Sequence, residues 1–276
     1  MSFGVLILVS VVAGLVGAMS GMSGGVVLIP VLTSFGVDIK QAIAISILSM
    51  IAVSNGAAWT YVRRHLPNLR ATAFLEAFAV AGAVCGAFFT VIAQTRPLYL
   101  LCGSFLCISA MALLKRPKPA KTPFPDSEIF PKTLDQQGSY YDDVEQRTIP
   151  YTIRRLPLAG PLMFAAGGVA GLLGIGGSAL TVLIHDRTMQ LPPKVSVTMS
   201  NLIIGVMALA GATVYLEAGP IDLSLAIPVV LAVPAGAWIG SKWFVQLNNR
   251  VIRMILFSFI ALLGVQMFLH GLRGVS

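Results

Sequence analysis

Apolar and charged positions divide the chain into eight segments that are nearly free of Asp, Glu, Lys and Arg: 1–37, 41–62, 71–95, 97–114, 156–184, 195–216, 223–241 and 254–272. Six of them run 18 to 25 residues, the length of one helix across a bilayer. Segments 1–37 and 156–184 are long for one span of about 20 residues and short for two. Both are interrupted near the middle by small residues, in "GAMSGMSGGVVLIP" (17–30) and "GLLGIGGSALTVLI" (171–184). Between the fourth and fifth segments lies 115–155, with six prolines, eight basic residues, six acidic ones and no apolar period. This composition predicts a flexible loop. The expected organisation is a first transmembrane repeat (1–114), the loop (115–155) and a second transmembrane repeat (156–276).

The two halves repeat each other. "GMSGGVVLIP" (21–30) aligns with "GIGGSALTVL" (174–183) at an offset of 153, and "KQAIAIS" (40–46) with "KVSVTMS" (194–200) at 154. The second offset then holds to the end, with "YVRRHLPNL" (61–69) meeting "YLEAGPIDL" (215–223) and "AGAVCG" (81–86) meeting "AGAWIG" (235–240). Lys and Arg are enriched on the cytoplasmic side of a membrane, so their placement distinguishes two topologies. If every segment crosses once, the two sides carry 12 and 7 of them. If 1–37 and 156–184 each enter and leave on one side, the split is 16 to 3, with only Lys40, Arg96 and Arg273 on the poor side. The second topology fits the rule better. It predicts an all-α polytopic membrane protein of two inverted four-segment repeats, each a glycine-broken re-entrant hairpin plus three spanning helices. Eight full spans is the alternative. Inverted repeats are a common transporter plan.

Composition supports a membrane location. Of 276 residues, 56% are hydrophobic and 11% charged, against about 25% charged in a soluble domain. The net charge of +8 reads as basic cytoplasmic loops rather than a nucleic-acid surface. Cys85, Cys102 and Cys107 lie in apolar segments without metal-type spacing and read as packing residues. The N-terminus has no Lys or Arg before its apolar run, so it reads as part of the fold rather than a secretory signal. His65, His185 and His270 fall near segment ends and read as interface residues. No cofactor is expected.

A helix end inside a bilayer leaves backbone groups without partners, which is tolerable only where they are buried in protein or line a wet cavity. Free N–H groups and the positive end of the helix dipole attract an anion. Glycine allows close approach to the backbone, and serine adds a hydroxyl. Ser20, Met22, Ser23, Gly24 and Gly25 of one half, with Gly174, Ile175, Gly176, Gly177 and Ser178 of the other, are therefore candidates for one shared anion site near the midplane. Close helix packing explains other small-residue pairs, such as Gly14–Ala18, Gly82–Gly86 and Gly236–Gly240. Each following helix carries Ser46, Ser49, Ser54 and Asn55, or Thr198, Ser200 and Asn201. Of these, Ser49, Asn55, Ser200 and Asn201 join the candidate substrate-binding set, with interhelical hydrogen bonding as the alternative role. Glu76 is the single Asp, Glu, Lys or Arg within the spanning segments and is a candidate for coupling or gating. The alternative is an interfacial pair with Arg70 or Arg63.

This pattern resembles the sulfite exporter TauE/SafE family of membrane permeases. The resemblance rests on "GLVGAMSGMSGGVVLIPVL" (14–32), "GGVAGLLGIGGSALTVLI" (167–184) and "YLEAGPIDL" (215–223), and covers nearly all of the chain outside the loop. Ser23 and Ser178 stand where the family often has glycine, and Leu183 stands where Pro30 would repeat. The resemblance implies transport of small sulfur-containing or carboxylate anions, often outward.

The expected function is a secondary transporter of sulfite, thiosulfate or a sulfonate such as sulfoacetate, as an exporter working by alternating access around a site between the repeats. An anion channel or a carboxylate permease of the same fold is the alternative. The expected partners are the small anion and the lipid bilayer, with coupling to a proton or sodium gradient or to the anion's own gradient. The expected location is a bacterial inner membrane with the 115–155 loop in the cytoplasm. The chain has no GxxxxGK[ST] phosphate loop, and no Cys–His, Ser–His–Asp or paired-carboxylate set at a common depth, so an enzyme is not expected. The sequence leaves the oligomeric state and the identity of the anion open.

Overall fold

The computed structural model describes residues 3–20, 24–63, 68–114, 137–142, 147–175, 177–218, 221–246 and 249–273. For Ser20, Asn55 and Ser178 it describes the backbone only. Met22, Ser23 and Gly176, three of the candidate residues, lie outside the described residues.

Each glycine-broken segment forms two helices. The first gives α1 (Phe3–Ser20) and α2 (Gly25–Ser34), and the rest of that half gives α3 (Ile39–Arg63), α4 (Leu69–Ile92) and α5 (Thr95–Leu114). Two strands follow, β1 (Gln137–Asp142) and β2 (Arg147–Thr152). The second half repeats the first as α6 (Leu156–Leu173), α7 (Ser178–Arg187), α8 (Pro193–Ala218), α9 (Leu223–Gln246) and α10 (Asn249–Arg273). Both first helices are 18 residues and both second helices 10. At 1.5 Å per residue these are about 27 and 15 Å long, so neither α2 nor α7 reaches across a hydrocarbon core of about 30 Å. Among the described residues, Leu69–Ile92, Leu156–Leu173 and Thr198–Ala218 are long and apolar enough to span by length and composition alone. Large apolar side chains, among them Phe88, Ile92, Leu231 and Trp238, are exposed on the outside of the bundle, as a lipid-facing surface requires.

The helices pair across the halves. α1 packs on α9 as α6 packs on α4, and α3 meets α8 and α5 meets α10. Glycine makes these approaches close. A Cβ on Gly82, Gly86, Gly167 or Gly171 would strike the backbone of the facing helix between α4 and α6, and one on Gly236 would strike Val11. The close-packing reading of the Gly82–Gly86 pair and of Gly236 therefore holds. Gly82 faces Phe164 and Gly86 faces Gly168 and Leu172, so α4 and α6 run parallel. Ser54 Oγ donates to the Asn201 carbonyl, while Gly211 lies against Ile47, so α3 and α8 run antiparallel. Arg96 Nε donates to the Gly271 carbonyl at 3.2 Å and Gly103 faces Phe268, so α5 and α10 are antiparallel as well.

Within the stretch 115–155, expected as a flexible loop, two segments form strands, 137–142 and 147–152. β1 and β2 form an antiparallel hairpin with Gln137 opposite Thr152 and Asp142 opposite Arg147. Tyr140 and Tyr151 are buried against each other, with ring centroids 6.3 Å apart. Tyr, Ile and Thr suit a pleated, half-covered surface. Burial pushes the Tyr151 hydroxyl up to about 12.

Candidate functional site

The two broken segments meet. Gly25, the first residue of α2, lies so close to the second half that a Cβ there would collide with Ser46 Oγ and the Gly174 carbonyl, with Ile175 Cα 3.3 Å away. Gly24, Gly25, Gly174 and Ile175 are all buried. Gly174 caps α6 with a φ of +62°, a left-handed conformation that glycine adopts without a Cβ penalty. The returns are tight on both sides. A Cβ on Gly24 would be 3.2 Å from the Ala13 carbonyl oxygen, and one on Gly177 would be 2.8 Å from that of Ala166. In each half the start of the short helix thus lies beside the interior of the long one.

Carbonyl and amide ends are treated differently at this junction. The last four C=O groups of a helix have no intrahelical partner. In and after the last turn of α6, Tyr215 Oη donates to the Gly171 carbonyl at 2.8 Å, Thr90 Oγ1 to Leu172 at 2.7 Å, and Ser46 Oγ to Gly174 at 2.6 Å. Cys102 Sγ makes a weak contact with the Leu173 carbonyl at 4.0 Å. Four helices, α3, α4, α5 and α8, thereby close the negative end of α6. The amide ends of α2 and α7 are preceded by Gly24 and Gly177, which provide no side-chain cap. First-turn amides of a helix attract anions when left to a ligand.

The other candidates occupy different places. Ser20 ends α1 and Ser178 begins α7, so their backbones flank the two breaks. Ser49 turns back onto its own helix, donating to the Ser46 carbonyl at 2.7 Å, and does not reach the junction. Asn55 lies on α3, next to Ser54. Asn201 is half-buried, and its carbonyl takes the Ser54 hydroxyl where α3 crosses α8. Glu76 is half-buried in α4, about 21 Å along the helix from Thr90, which reaches the end of α6. A cavity of about 10 Å³ between α3, α6 and α8 is lined by Ile47, Met50, Ala170, Gly171, Met207 and Gly211 among others. It has room for about one water and no charged or hydroxyl lining.

His185, read from the sequence as an interface residue, is wholly buried among other side chains in α7, with 0% exposure. Nδ1 lies 2.9 Å from Ser200 Oγ and 3.3 Å from the Ser196 carbonyl oxygen. The Ser196 hydroxyl donates to Asp186 Oδ1 at 2.5 Å. The carboxylate therefore holds Ser196 rather than the imidazole, and the set does not form a Ser–His–Asp relay. Among the described residues, His185 Nε2 is buried without a hydrogen-bond partner, a condition that costs about 1–3 kcal/mol. The repeat register could have exposed this residue, because its counterpart at an offset of 153 is Leu32, a core position.

Comparison with known proteins agrees with this architecture. Residues 6–267 match the family described as Sulfite exporter TauE/SafE. The chain is 25% identical to "Probable membrane transporter protein YunE" of Bacillus subtilis, with 99% of each chain covered. It is 25% identical to "Probable membrane transporter protein YdhB" of the same organism, over 95% of this chain and 96% of that one. It is 24% identical to "Probable membrane transporter protein MJ0441" of Methanocaldococcus jannaschii, over 96% and 94%. No solved structure matches. The names of these relatives describe membrane transporters, and a family match over nearly the whole chain leads to one conclusion: the chain belongs to the sulfite exporter TauE/SafE family and is a multi-pass membrane transporter.

Proposed function

We propose that the protein is a secondary carrier for small sulfur-containing anions, such as sulfite, thiosulfate or a sulfonate, working as an exporter. The anion binds between the amide ends of α2 and α7. The observation that carries this reading is the asymmetry at the junction: neighbouring helices close the carbonyl end of α6, while glycine stands before both amide ends. Backbone donors in place of a buried cation give attraction that is weak enough for release. The bound groups would be the backbones of Ser20, Gly24, Gly25, Gly174, Ile175, Gly177 and Ser178, together with Met22, Ser23 and Gly176. Ser200 and Asn201 on α8 and Ser49 and Asn55 on α3 stand in the surrounding layer.

The two halves are read as inverted repeats that rock around this junction, exposing it to each side in turn. Two directions support the inversion: α3 opposes its repeat mate α8, and α5 opposes its repeat mate α10. α2 and α7 are too short to cross, which favours hairpins over eight full spans. The 16 to 3 distribution of Lys and Arg supports the same topology, with the 115–155 loop in the cytoplasm of a bacterial cell. Glu76, in α4, is a gating candidate at some remove from the junction.

Thermal unfolding of the purified protein with sulfite, thiosulfate, sulfonates and short carboxylates tests the reading. An anion at 100 times its Kd stabilises the fold by about 2.7 kcal/mol. Sulfur anions are expected to raise Tm, and labelled sulfite is expected to show saturable counterflow in liposomes. A response to carboxylates alone contradicts the substrate class, and non-saturating flux without counterflow contradicts the carrier.

A further inference from the structure

The polar cluster on α7 and α8 has no counterpart in the first half. At the repeat offsets, His185, Asp186 and Ser196 stand where the first half has Leu32, Thr33 and Ala42, whereas Ser200 stands where it has Ser46. Leu32 and Ala42 are fully buried, and Thr33 bonds only within its own helix, to the Ile29 and Pro30 carbonyls. The architecture therefore accepts an aliphatic side chain at the His185 position, and space-filling does not explain an imidazole there.

The ring's hydrogen bonds fix its free side. Nδ1 faces both the Ser200 hydroxyl and the Ser196 carbonyl. A carbonyl only accepts, so the tautomer that satisfies both contacts carries its hydrogen on Nδ1 and leaves Nε2 as a bare lone pair. Nε2 is enclosed and has no hydrogen-bond partner among the described residues. Ser200 lies at the repeat position of Ser46, whose hydroxyl reaches the junction at Gly174, so the imidazole lies along α7 between the junction and the end that carries Arg187. Around the ring, α8 supplies the neutral hydroxyls of Ser196 and Ser200 and has Lys194 in its first turn. α6 carries no titratable residue over Leu156–Leu173. α7 supplies Asp186, engaged by Ser196, and the exposed Arg187. Beyond α7, Arg154 reaches Gln190.

We propose that His185 is the proton-carrying residue of this transporter. Nε2 takes a proton from water when the α7–α8 pair opens to one side, giving an imidazolium that keeps its Nδ1–H bonds to α8. It returns that proton to water on the other side, and anion movement is thereby tied to the transmembrane pH difference. The proposal rests on the carrier reading above and names the ion that couples it.

Sulfite flux in liposomes, measured with and without an imposed pH difference, tests the proposal on the native chain and His185→Leu. Leucine is the residue the first half packs at this position. The native chain is expected to accelerate several-fold under the pH difference, while His185→Leu keeps sulfite counterflow and loses the acceleration. Full acceleration in His185→Leu, or none in the native chain while counterflow persists, overturns the proposal and leaves the carrier intact. Absence of counterflow in the native chain overturns the carrier instead. Nitrogen NMR of the histidine-labelled protein needs no transported solute. It is expected to show a His185 signal, missing in His185→Leu, with hydrogen on Nδ1 and a bare Nε2 that gains a proton on acidification. An Nε2–H at every pH, or a ring that never titrates while the protein stays folded, overturns the proposal by itself.

Discussion

Three side chains, Ser46, Thr90 and Tyr215, make it possible for α6 to end inside the protein, because each gives its hydroxyl to a carbonyl that the helix cannot satisfy. Removing one hydroxyl strands a buried acceptor and costs about 1–3 kcal/mol. Ser46→Ala and Tyr215→Phe are each expected to lower stability by that amount, read as a drop in Tm. A Tm within error of the native value in both would mean that the α6 terminus does not depend on them. Gly25→Ala is expected to be more damaging, because its methyl group meets the Ser46 hydroxyl and the Gly174 carbonyl, and the second is backbone that only a shift of the chain can move. Failure to recover folded Gly25→Ala is the expected result, and normal yield and Tm would contradict the contact. At this scale the sequence was partly legible. The glycine clusters and the Ser46–Ser200 pair stand out from composition and repeat register. His185 does not, because the charged residues Asp186 and Arg187 that follow it make it read as a segment end. Its burial comes from α8 covering that face of α7, a tertiary fact that local pattern does not carry.

Helices were the most legible elements. All eight apolar segments became helices, and the two broken ones split where their small residues cluster, between Ser20 and Gly25 and between Leu173 and Ser178. The β-hairpin was hidden because the prolines and charges of 115–155 outweigh two six-residue strands when the stretch is read as a whole. Local bonds also define where elements begin. Asp222 Oδ1 accepts from the Ser224 N–H at 2.9 Å and from its hydroxyl, at the start of α9. These bonds hold the Asp222 carboxyl below its usual range, the side-chain bond first. A depressed folded-state value means that the stabilisation is present above the ordinary carboxylate range and is lost as pH falls through the lowered value. Asp222→Ala is therefore expected to lower Tm at neutral pH and to converge with the native chain in acid. Equal Tm values at pH 7 would show that α9 needs no such cap.

For the whole molecule, the charge distribution carried more information than hydropathy. Length and composition alone allow Leu156–Leu173 to cross a bilayer. The 16 to 3 split of Lys and Arg and the ten-residue length of α7 argue instead for a hairpin that returns to its own side. The two topologies differ at defined positions. With hairpins, Ser139 in β1 and Glu217 at the end of α8 lie on opposite sides; with eight full spans they share a side. Ser139→Cys and Glu217→Cys, in a chain with Cys85, Cys102 and Cys107 replaced by alanine, are expected to react with a membrane-impermeant maleimide from opposite faces. Labelling of both from one face would contradict the inverted arrangement.

The claim on which the rest depends is that an anion sits between the amide ends of α2 and α7. Anomalous diffraction from crystals soaked in selenite, a heavier analogue of sulfite, tests it most directly. One selenium peak is expected within hydrogen-bond reach of the backbone amides at Gly24–Gly25 and Gly177–Ser178, abolished by competing sulfite. A peak confined to the Met207 cavity or to surface arginines, with the α2–α7 junction empty under conditions that support transport, would contradict it.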